Sequence, residues 1–370
     1  MLRKIRTATI TFHKAVNYGA ILQTYALQRS ILKLGVDNNI IDYDCKLISN
    51  EYKLVNTKSI KSFIKSLIAF RIYYYKKDKF KSFIKKYIIL TNPVTKDILK
   101  SEEFNNKYDF FITGSDQVWN YEITNLDDAY FLNFVKDESK IKSYAASFGI
   151  SYIPNNLISK YKNYLKRFSS ILVREKTGVE LTKKLIDKKV NVVIDPVLLL
   201  DKNEWNEIVF KTKFDDIKDK YILVYMETPY IKLFAENLSA KYKIPIFNIA
   251  DLILKKKNKI GNTESKLGPE EFVNAIKNAK FVVTGSFHAV VFSIIYNKEF
   301  FINNVDKTKE NRSSRQKDLL DLLEIKDREI FNHDDDTDFV PIDWNNVNKK
   351  LEFERNKSID ELKKILDVND

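Results

Sequence analysis

Residues 280–295 read KFVVTGSFHAVVFSII, and this stretch carries the pattern that decides the fold. Residues 280–284 are rich in β-branched and aromatic side chains, which is typical of a buried strand. Gly285 then permits a sharp turn, and the apolar residues at 290–295 return at helical spacing. A strand that turns directly into a buried helix is the repeating unit of parallel α/β folds.

Short β-branched runs alternate with longer amphipathic runs along the rest of the chain. Residues 6–11 predict a first strand, and the helical pattern after it can end at Gly35. Helical patterns separate most of the other strand candidates, which are residues 39–43, 108–113, 141–146, 170–173, 190–194, 221–225, 244–249 and 300–303. This order predicts an α/β fold with parallel sheets.

The length of 370 residues and the hydrophobic content of 44% favour two globular domains. We place the boundary in the charged segment 211–220, which separates two βα series. The predicted units are an N-terminal α/β domain of residues 1–212, a C-terminal α/β domain of residues 213–342 and a final helix within residues 343–370. This helix either caps one domain or crosses back to the first.

Cysteine content and hydropathy indicate a cytoplasmic protein. Cys45 is the single cysteine, so no internal disulfide can form, and residues 1–10 lack the apolar run of a secretory signal. No uncharged apolar stretch is long enough to cross a bilayer. The formal charge of +13 favours anionic partners. Lysine is enriched along the whole chain, however, so a biased nucleotide composition of the genome explains the charge better.

Residues 58–90 form a basic, aromatic segment with ten basic residues against the single acid Asp78. Aromatic side chains are interleaved with the basic ones, at Phe63, Phe70, Tyr73, Tyr74, Tyr75, Phe80 and Phe83. We favour a solvated helical hairpin that covers the first sheet, ahead of a helix on a membrane surface. A nucleic-acid patch is the third interpretation, and we expect no nucleic-acid partner.

A dense polar cluster follows the strand predicted at 108–113. Ser115, Asp116, Gln117 and Asn120 offer a hydroxyl, a carboxylate and two amides, and Trp119 adds an indole. Such a mixture suits a sugar, because polar groups form hydrogen bonds with its hydroxyls while an aromatic face stacks on the ring. Asp116 can also accept a proton from an attacking hydroxyl. The alternative is a helix cap with Trp119 in the core.

A second candidate site lies in the turn that contains Gly285, Ser286 and His288. The first turn of the helix presents unpaired N–H groups and a positive dipole end, which bind phosphate, and His288 would project into that site. Arg174 ends the strand predicted at 170–173, and its planar fork matches a carboxylate or phosphate. A surface ion pair between Arg174 and Glu175 is the alternative.

Other polar residues extend these two sites. Arg312 and Arg315 add positive charge to a cleft facing the second domain, whereas His13, Asn17 and Tyr18 follow the first strand. No metal site is expected, because the three histidines are far apart and the cysteine is alone. The sequence also lacks phosphate-loop and dinucleotide fingerprints and the Gly-x-Ser-x-Gly elbow of many hydrolases.

Taken together, these motifs resemble the polysaccharide pyruvyl transferase family. The resemblance runs through nearly the whole chain, and its most specific string is Gly-Ser-Asp-Gln-Val-Trp-Asn at 114–120. The other matching motifs are Thr11-Phe12-His13, Asn17-Tyr18-Gly19-Ala20, Leu22-Gln23, Tyr144-Ala145-Ala146-Ser147-Phe148-Gly149, Val173-Arg174-Glu175, Asp195-Pro196-Val197 and Ser286-Phe287-His288.

The resemblance implies a glycosyltransferase-B-like fold, in which two Rossmann-like domains face a cleft. It implies that phosphoenolpyruvate, bound mainly by the C-terminal domain, donates a pyruvyl group to two hydroxyls of one sugar held on the N-terminal side. No other cofactor is expected. Similar proteins serve the assembly of capsule, exopolysaccharide or cell-wall polymers, often on lipid-linked acceptors at the inner face of the plasma membrane, and the segment 58–90 fits that setting.

Our hypothesis for this reaction assigns roles to residues. Arg174, Gly285, Ser286 and His288 would bind the donor, with His288 as general acid, and Asp116 would deprotonate the acceptor. Acceptor contacts would come from His13, Asn17, Tyr18, Ser115, Asp116, Gln117, Trp119 and Asn120. Characterised members carry Arg-Leu-His where this chain has Ser286-Phe287-His288, so we expect Arg312 or Arg315 to replace the missing charge.

Two alternative functions stay open at this point. One is a nucleotide-sugar-dependent glycosyltransferase on the same architecture. The other is a non-enzymatic protein that binds membranes or nucleic acid through residues 58–90.

Overall fold

The structure is a computed structural model that describes residues 3–45, 60–250, 261–303, 314–330 and 337–368. Six parallel strands in these ranges form a first sheet in the order β2-β1-β3-β4-β5-β6. They are β1 (Arg6–Ile10), β2 (Asp37–Ile40), β3 (Phe110–Thr113), β4 (Ile141–Ala146), β5 (Ser170–Val173) and β6 (Val190–Val192).

A second parallel sheet follows along the chain, with the order β11-β10-β7-β8-β9 among the described residues. Its strands are β7 (Ile222–Tyr225), β8 (Ile246–Ile249), β9 (Asn262–Glu264), β10 (Phe281–Thr284) and β11 (Glu299–Ile302). The predicted α/β class with parallel sheets is therefore confirmed. The sheets lie on either side of the predicted boundary at residues 212 and 213.

Helices cover the sheets and connect most of the strands. They are α1 (Tyr18–Lys33), α2 (Ile60–Tyr87), α3 (Lys96–Lys100), α4 (Glu102–Asn106), α5 (Tyr121–Thr124), α6 (Asn155–Lys166), α7 (Lys176–Leu185), α8 (Lys202–Asn206), α9 (Pro229–Tyr242), α10 (Pro269–Asn278), α11 (Phe287–Ile295), α12 (Ser314–Leu323) and α13 (Trp344–Ile365). None of these helices combines the length and the apolar character needed to cross a bilayer.

The segment predicted as a helical hairpin is instead one long helix from residue 60 onward. α2 spans 28 residues without a glycine or proline to turn the chain, so the hairpin prediction was wrong. Its buried side chains pack against α1 of the first domain and α10 of the second. Lys79 of α2 forms an ion pair with Glu271 of α10 at 2.6 Å.

One hydrophobic core joins the two sheets. It includes Tyr18 and Leu22 from α1, and Phe272 and Phe292 from α10 and α11. The Tyr18 ring stacks on Phe272 with centroids 4.2 Å apart, and its hydroxyl donates to the Leu267 carbonyl at 2.9 Å. The two domains therefore meet through close packing.

The last helix, α13, extends from the second domain to the first. Near its start Lys350 pairs with Glu324, which follows α12. Near its end the Ser358 hydroxyl accepts a hydrogen bond from the Ile194 amide at 3.1 Å. α13 thus contacts residues of both domains.

Candidate functional site

The carboxyl ends of strands from both sheets meet at one cluster of charged side chains. Asp116 follows β3, Arg174 follows β5 and Asp195 follows β6. His288 enters from the second sheet, in the first turn of α11. Because parallel strands present their carboxyl ends at one edge, ligands of such folds bind there.

Arg174 lies at the centre of the cluster, with its side chain only 2% exposed. Its Nη1 donates to Asp195 Oδ2 at 2.8 Å, its Nη2 lies 3.6 Å from Asp116 Oδ1, and its Nε lies 3.9 Å from Glu175 Oε2. Burial lowers the pKa of Arg174, but the three carboxylates outweigh this and raise it. The pair with Glu175 is buried, so the alternative of a surface ion pair was wrong.

Asp195 connects the two domains, and sequence reasoning assigned it no role. Its Oδ2, which accepts from Arg174, also lies 3.7 Å from His288 Nε2. Its Oδ1 accepts from the Val197 amide at 3.0 Å. Burial raises the pKa of Asp195, but contacts with His288 and Arg174 prevail and hold it well below the usual value. The only sequence signal was the short Asp-Pro-Val motif.

The imidazole of His288 is held between the domains by close packing. A Cβ added at Gly19, in the first turn of α1, would lie 2.0 Å from His288 Nδ1. Only glycine leaves room for the ring at that position. Ser286 caps α11 by accepting from the Ala289 amide at 3.4 Å, and the Gly285 carbonyl accepts from Gln316 Nε2 at 3.1 Å.

Arg315 supplies a second guanidinium beside the cluster. The guanidinium carbons of Arg174 and Arg315 lie 5.3 Å and 5.7 Å from the centroid of the Phe287 ring. Burial, followed by repulsion from Arg174, lowers the pKa of Arg315 to about 10, so it stays charged at neutral pH. Arg312, predicted beside it, lies outside the described residues.

Several buried polar atoms in and around this cluster have no hydrogen-bond partner in the structure. Buried polar groups are nearly always paired in folded proteins, so a group of unpaired ones indicates a place for a ligand. They are Arg174 Nε and Nη2, Glu175 Oε2, His288 Nε2, Arg315 Nε and Ser115 Oγ.

The loop after β3 presents Asp116 to Arg174 through a left-handed backbone conformation. Asp116 has φ 75°, and its carbonyl accepts from the Ser147 amide at 3.0 Å. Its Oδ1 also accepts from the Gln117 amide at 2.8 Å. Gln23 of α1, which had no assigned role, holds the same turn by accepting from the Ser115 amide at 3.2 Å.

The structure corrects the prediction that Trp119 stacks on a sugar. Its side chain is 0% exposed, and its Nε1 donates to the Tyr130 carbonyl at 3.3 Å. It packs against the rings of Phe131 and Phe148. Trp119 lies in the core, as the alternative predicted, but Asn120 caps the next helix in place of Ser115 or Asp116.

Other residues that were predicted to contact the acceptor sugar form hydrogen bonds within the protein. His13 Nε2 lies 3.1 Å from Asp42 Oδ1, and the hydroxyl of Tyr18 is occupied between the domains. Ser115, Tyr18 and His13 are buried, and their direct contact with a sugar stays a prediction.

Two asparagines of the predicted acceptor side serve as helix caps. Asn17 caps α1 and remains exposed, and the buried Asn120 caps α5 while its Nδ2 donates to Gln117 Oε1 at 2.8 Å. Gln117 and Asp116 remain partly accessible beside the cluster. The described ranges hold no group of three side chains placed for a metal ion.

The solved structures that match this chain include an epimerase and a glycosyltransferase. A putative UDP-N-acetylglucosamine 2-epimerase from Listeria monocytogenes matches with a TM-score of 0.50 and 10% identity, over 100% of this chain and 98% of that chain. A glycosyltransferase from Rickettsia africae matches with a TM-score of 0.48 and 13% identity, over 98% of this chain and 99% of that chain. The likeness to the Listeria structure supports the glycosyltransferase-B-like fold and nothing further.

Sequence comparison identifies the family directly. No match was found among curated proteins. A model of the polysaccharide pyruvyl transferase family matches residues 17–306, from the residue that caps α1 to a point just after β11. Because this match covers most of the chain and includes both sides of the charged cluster, the chain belongs to the polysaccharide pyruvyl transferase family.

Proposed function

We propose that this protein transfers the pyruvyl group of phosphoenolpyruvate to two hydroxyls of one sugar residue, in a polysaccharide or its lipid-linked precursor. The family membership supports a transferase of this kind. The observation that carries the proposal is the group of unpaired polar atoms on Arg174, Arg315 and His288, where the two domains meet.

The donor carries a phosphate and a carboxylate, and the cluster offers matching groups for both. Arg174 and Arg315 supply guanidinium N–H groups that have no hydrogen-bond partner within the protein. The first turn of α11 adds backbone N–H groups and the positive end of the helix dipole. In this proposal Arg315 replaces the arginine that characterised members carry at the position of Ser286.

The first chemical step is protonation of the donor. His288 gives a proton to the methylene carbon, which becomes a methyl group, and C2 becomes electrophilic. Asp195, 3.7 Å from Nε2, orients the imidazole toward the donor. The imidazole then recovers a proton from solvent or from an acceptor hydroxyl.

The second step joins the sugar to C2. Asp116 accepts the proton of the first hydroxyl as its oxygen attacks C2, and Gln117 positions the sugar. The second hydroxyl then attacks C2 and displaces phosphate. One of the two hydroxyl protons replaces the proton that was given to the new methyl group, and the other leaves with phosphate. The products are therefore the ketal and inorganic phosphate.

The side chains of the cluster are almost completely shielded from solvent. Side chains of Arg174, Asp195 and His288 are 2%, 0% and 11% exposed. The proposal therefore requires the two domains to move apart for substrates to enter, with closure afterwards excluding water from the reaction.

The test measures phosphate release from phosphoenolpyruvate in the presence of candidate acceptor sugars, with mass spectrometry of the product. We expect His288→Gln to lower turnover by about 10²- to 10⁴-fold, because that is the usual contribution of general acid catalysis. Asp128→Asn is the matched control, since Asp128 pairs with Lys96 outside the cluster. Thermal unfolding of both variants verifies the fold.

The outcomes separate this proposal from its alternatives. Release of a nucleotide from an activated sugar, with no consumption of phosphoenolpyruvate, would establish a glycosyltransferase instead. Unchanged phosphate release by the His288 variant would remove this residue from the mechanism. Absence of any turnover with either donor would favour a non-enzymatic protein.

A further inference from the structure

The outer face of α2 carries an exposed aromatic patch. Phe70, Tyr74 and Tyr75 are 39%, 43% and 50% exposed, and the rings of Phe70 and Tyr74 lie 4.2 Å apart. Isolated exposed aromatic residues are ordinary, but a contiguous group on one helix indicates an interaction site. In the rest of the described chain the exposed aromatic side chains are dispersed, at Tyr152, Phe210 and Phe353.

Basic side chains extend the same face toward the end of the helix. Arg71, Lys81, Lys85 and Lys86 are exposed, and none of them has a carboxylate within ion-pair distance among the described residues. The single acid in this part of the helix is Asp78. Spacings of three and four residues place Phe70, Tyr74, Lys81 and Lys85 along one side of α2, with the exposed Asp78 among them. Arg71, Tyr75 and Lys86 flank this side.

The opposite side of α2 is fixed to both domains. Phe80 and Phe83 are buried against Tyr18 and Tyr25 of α1, with ring centroids 5.3 Å and 5.9 Å apart. Lys79 also pairs with Glu271 of α10. The helix therefore cannot rotate to bury Phe70 and Tyr74, whereas Tyr75 lies at the margin of the patch, with its ring centroid 5.5 Å from Lys266 Nζ.

We propose that this face docks the protein on an anionic lipid bilayer. Tyrosine and phenylalanine rings are stable at the level of lipid head groups, and lysine and arginine are attracted to negatively charged lipids. Single-stranded nucleic acid is a poorer fit, because it prefers a basic groove with separate stacking platforms. Here the surface is a convex helix, and Phe70 and Tyr74 pack on each other.

Docking at this face would hold the charged cluster near the bilayer. Phe80 of α2 contacts Tyr18, and the neighbouring Gly19 lies against His288. The proposal does not depend on the proposed reaction, because membrane binding is measured without turnover. Its failure would leave the pyruvyl transfer proposal intact.

The test is co-sedimentation of the full chain with two kinds of vesicle, phosphatidylcholine mixed with phosphatidylglycerol and phosphatidylcholine alone. We expect binding to the anionic vesicles and its loss at high ionic strength. The variant Lys81→Gln, Lys85→Gln, Lys86→Gln should bind about a hundredfold more weakly, or about fivefold per lysine. Phe70→Ala with Tyr74→Ala should also weaken binding.

A matched triple variant controls for total charge. Lys183→Gln, Lys184→Gln and Lys189→Gln remove three exposed charges in and after α7 and should bind as the wild type does. Equal weakening by both triple variants, or no binding to anionic vesicles, would overturn the proposal. So would tighter binding to a single-stranded RNA oligonucleotide than to the vesicles. Thermal unfolding distinguishes lost binding from lost structure.

Discussion

At the residue scale, Asp195 makes a testable contribution to stability. Its carboxylate is buried between Arg174 and His288, and these contacts hold its pKa below the usual carboxyl value. A lowered folded pKa gives stability that is present above the unfolded pKa of about 4 and is lost as the pH falls further. Asp195→Asn should therefore lose about 3 kcal/mol at neutral pH, and the difference from wild type should shrink in acid.

Urea unfolding of both proteins at neutral and acidic pH measures this difference. The exposed Asp187→Asn serves as the control and should match the wild type at each pH. If the loss for Asp195→Asn were independent of pH, folding would not shift the pKa of this carboxyl, and the electrostatic account of the cluster would be wrong.

Sequence reasoning named some residues of the cluster and misplaced others, for a physical reason. Arg174 directly follows β5 and Asp116 lies three residues after β3, and the carboxyl ends of parallel strands converge, so their meeting was predictable. The burial of Trp119 depends on packing against Phe131 and Phe148, which no local pattern reveals. Asp195 was missed because its partner His288 comes from the other sheet.

At the element scale, the start of α1 must lie against His288, and a double-mutant cycle tests this contact. Gly19→Ala places a Cβ 2.0 Å from Nδ1 of the ring, so it should destabilise the wild type. In a His288→Ala background the clash is gone, and alanine should stabilise the helix by about 1 kcal/mol relative to glycine.

Urea unfolding of the four proteins gives the coupling energy between the two positions. The expected result is a change of sign for the Gly19 substitution between the two backgrounds. Equal effects in both backgrounds would mean that α1 and α11 do not meet as described.

Strands were easier to predict than the arrangement of helices. The runs at β4 and β5 were predicted with the bounds observed. β5 has the continuous apolar and β-branched run that is typical of a buried parallel strand. β9, with the sequence Asn-Thr-Glu, was missed because this edge strand has no apolar pattern. α2 was mistaken for a hairpin because aromatic residues occur both on its exposed side and on its buried side.

At the scale of the whole molecule, the domains share a core and should unfold together. Phe272 of α10 is 0% exposed and stacks on Tyr18 of α1, so it belongs to both domains. Phe272→Ala should cost about 3 to 5 kcal/mol through the cavity that it leaves. Because the core is continuous, this loss should appear equally in both sheets.

Hydrogen exchange measured by mass spectrometry tests this on peptides that contain β3 and β10, one from each sheet. The two peptides should lose protection by the same free energy in the Phe272 variant. Phe353→Ala, at a side chain that is 68% exposed, should change neither peptide. A loss confined to the β10 peptide would show that the second domain opens independently of the first. The contact between Phe272 and Tyr18 would then be too weak to couple closure of the two domains to assembly of the cluster around Asp195 and His288.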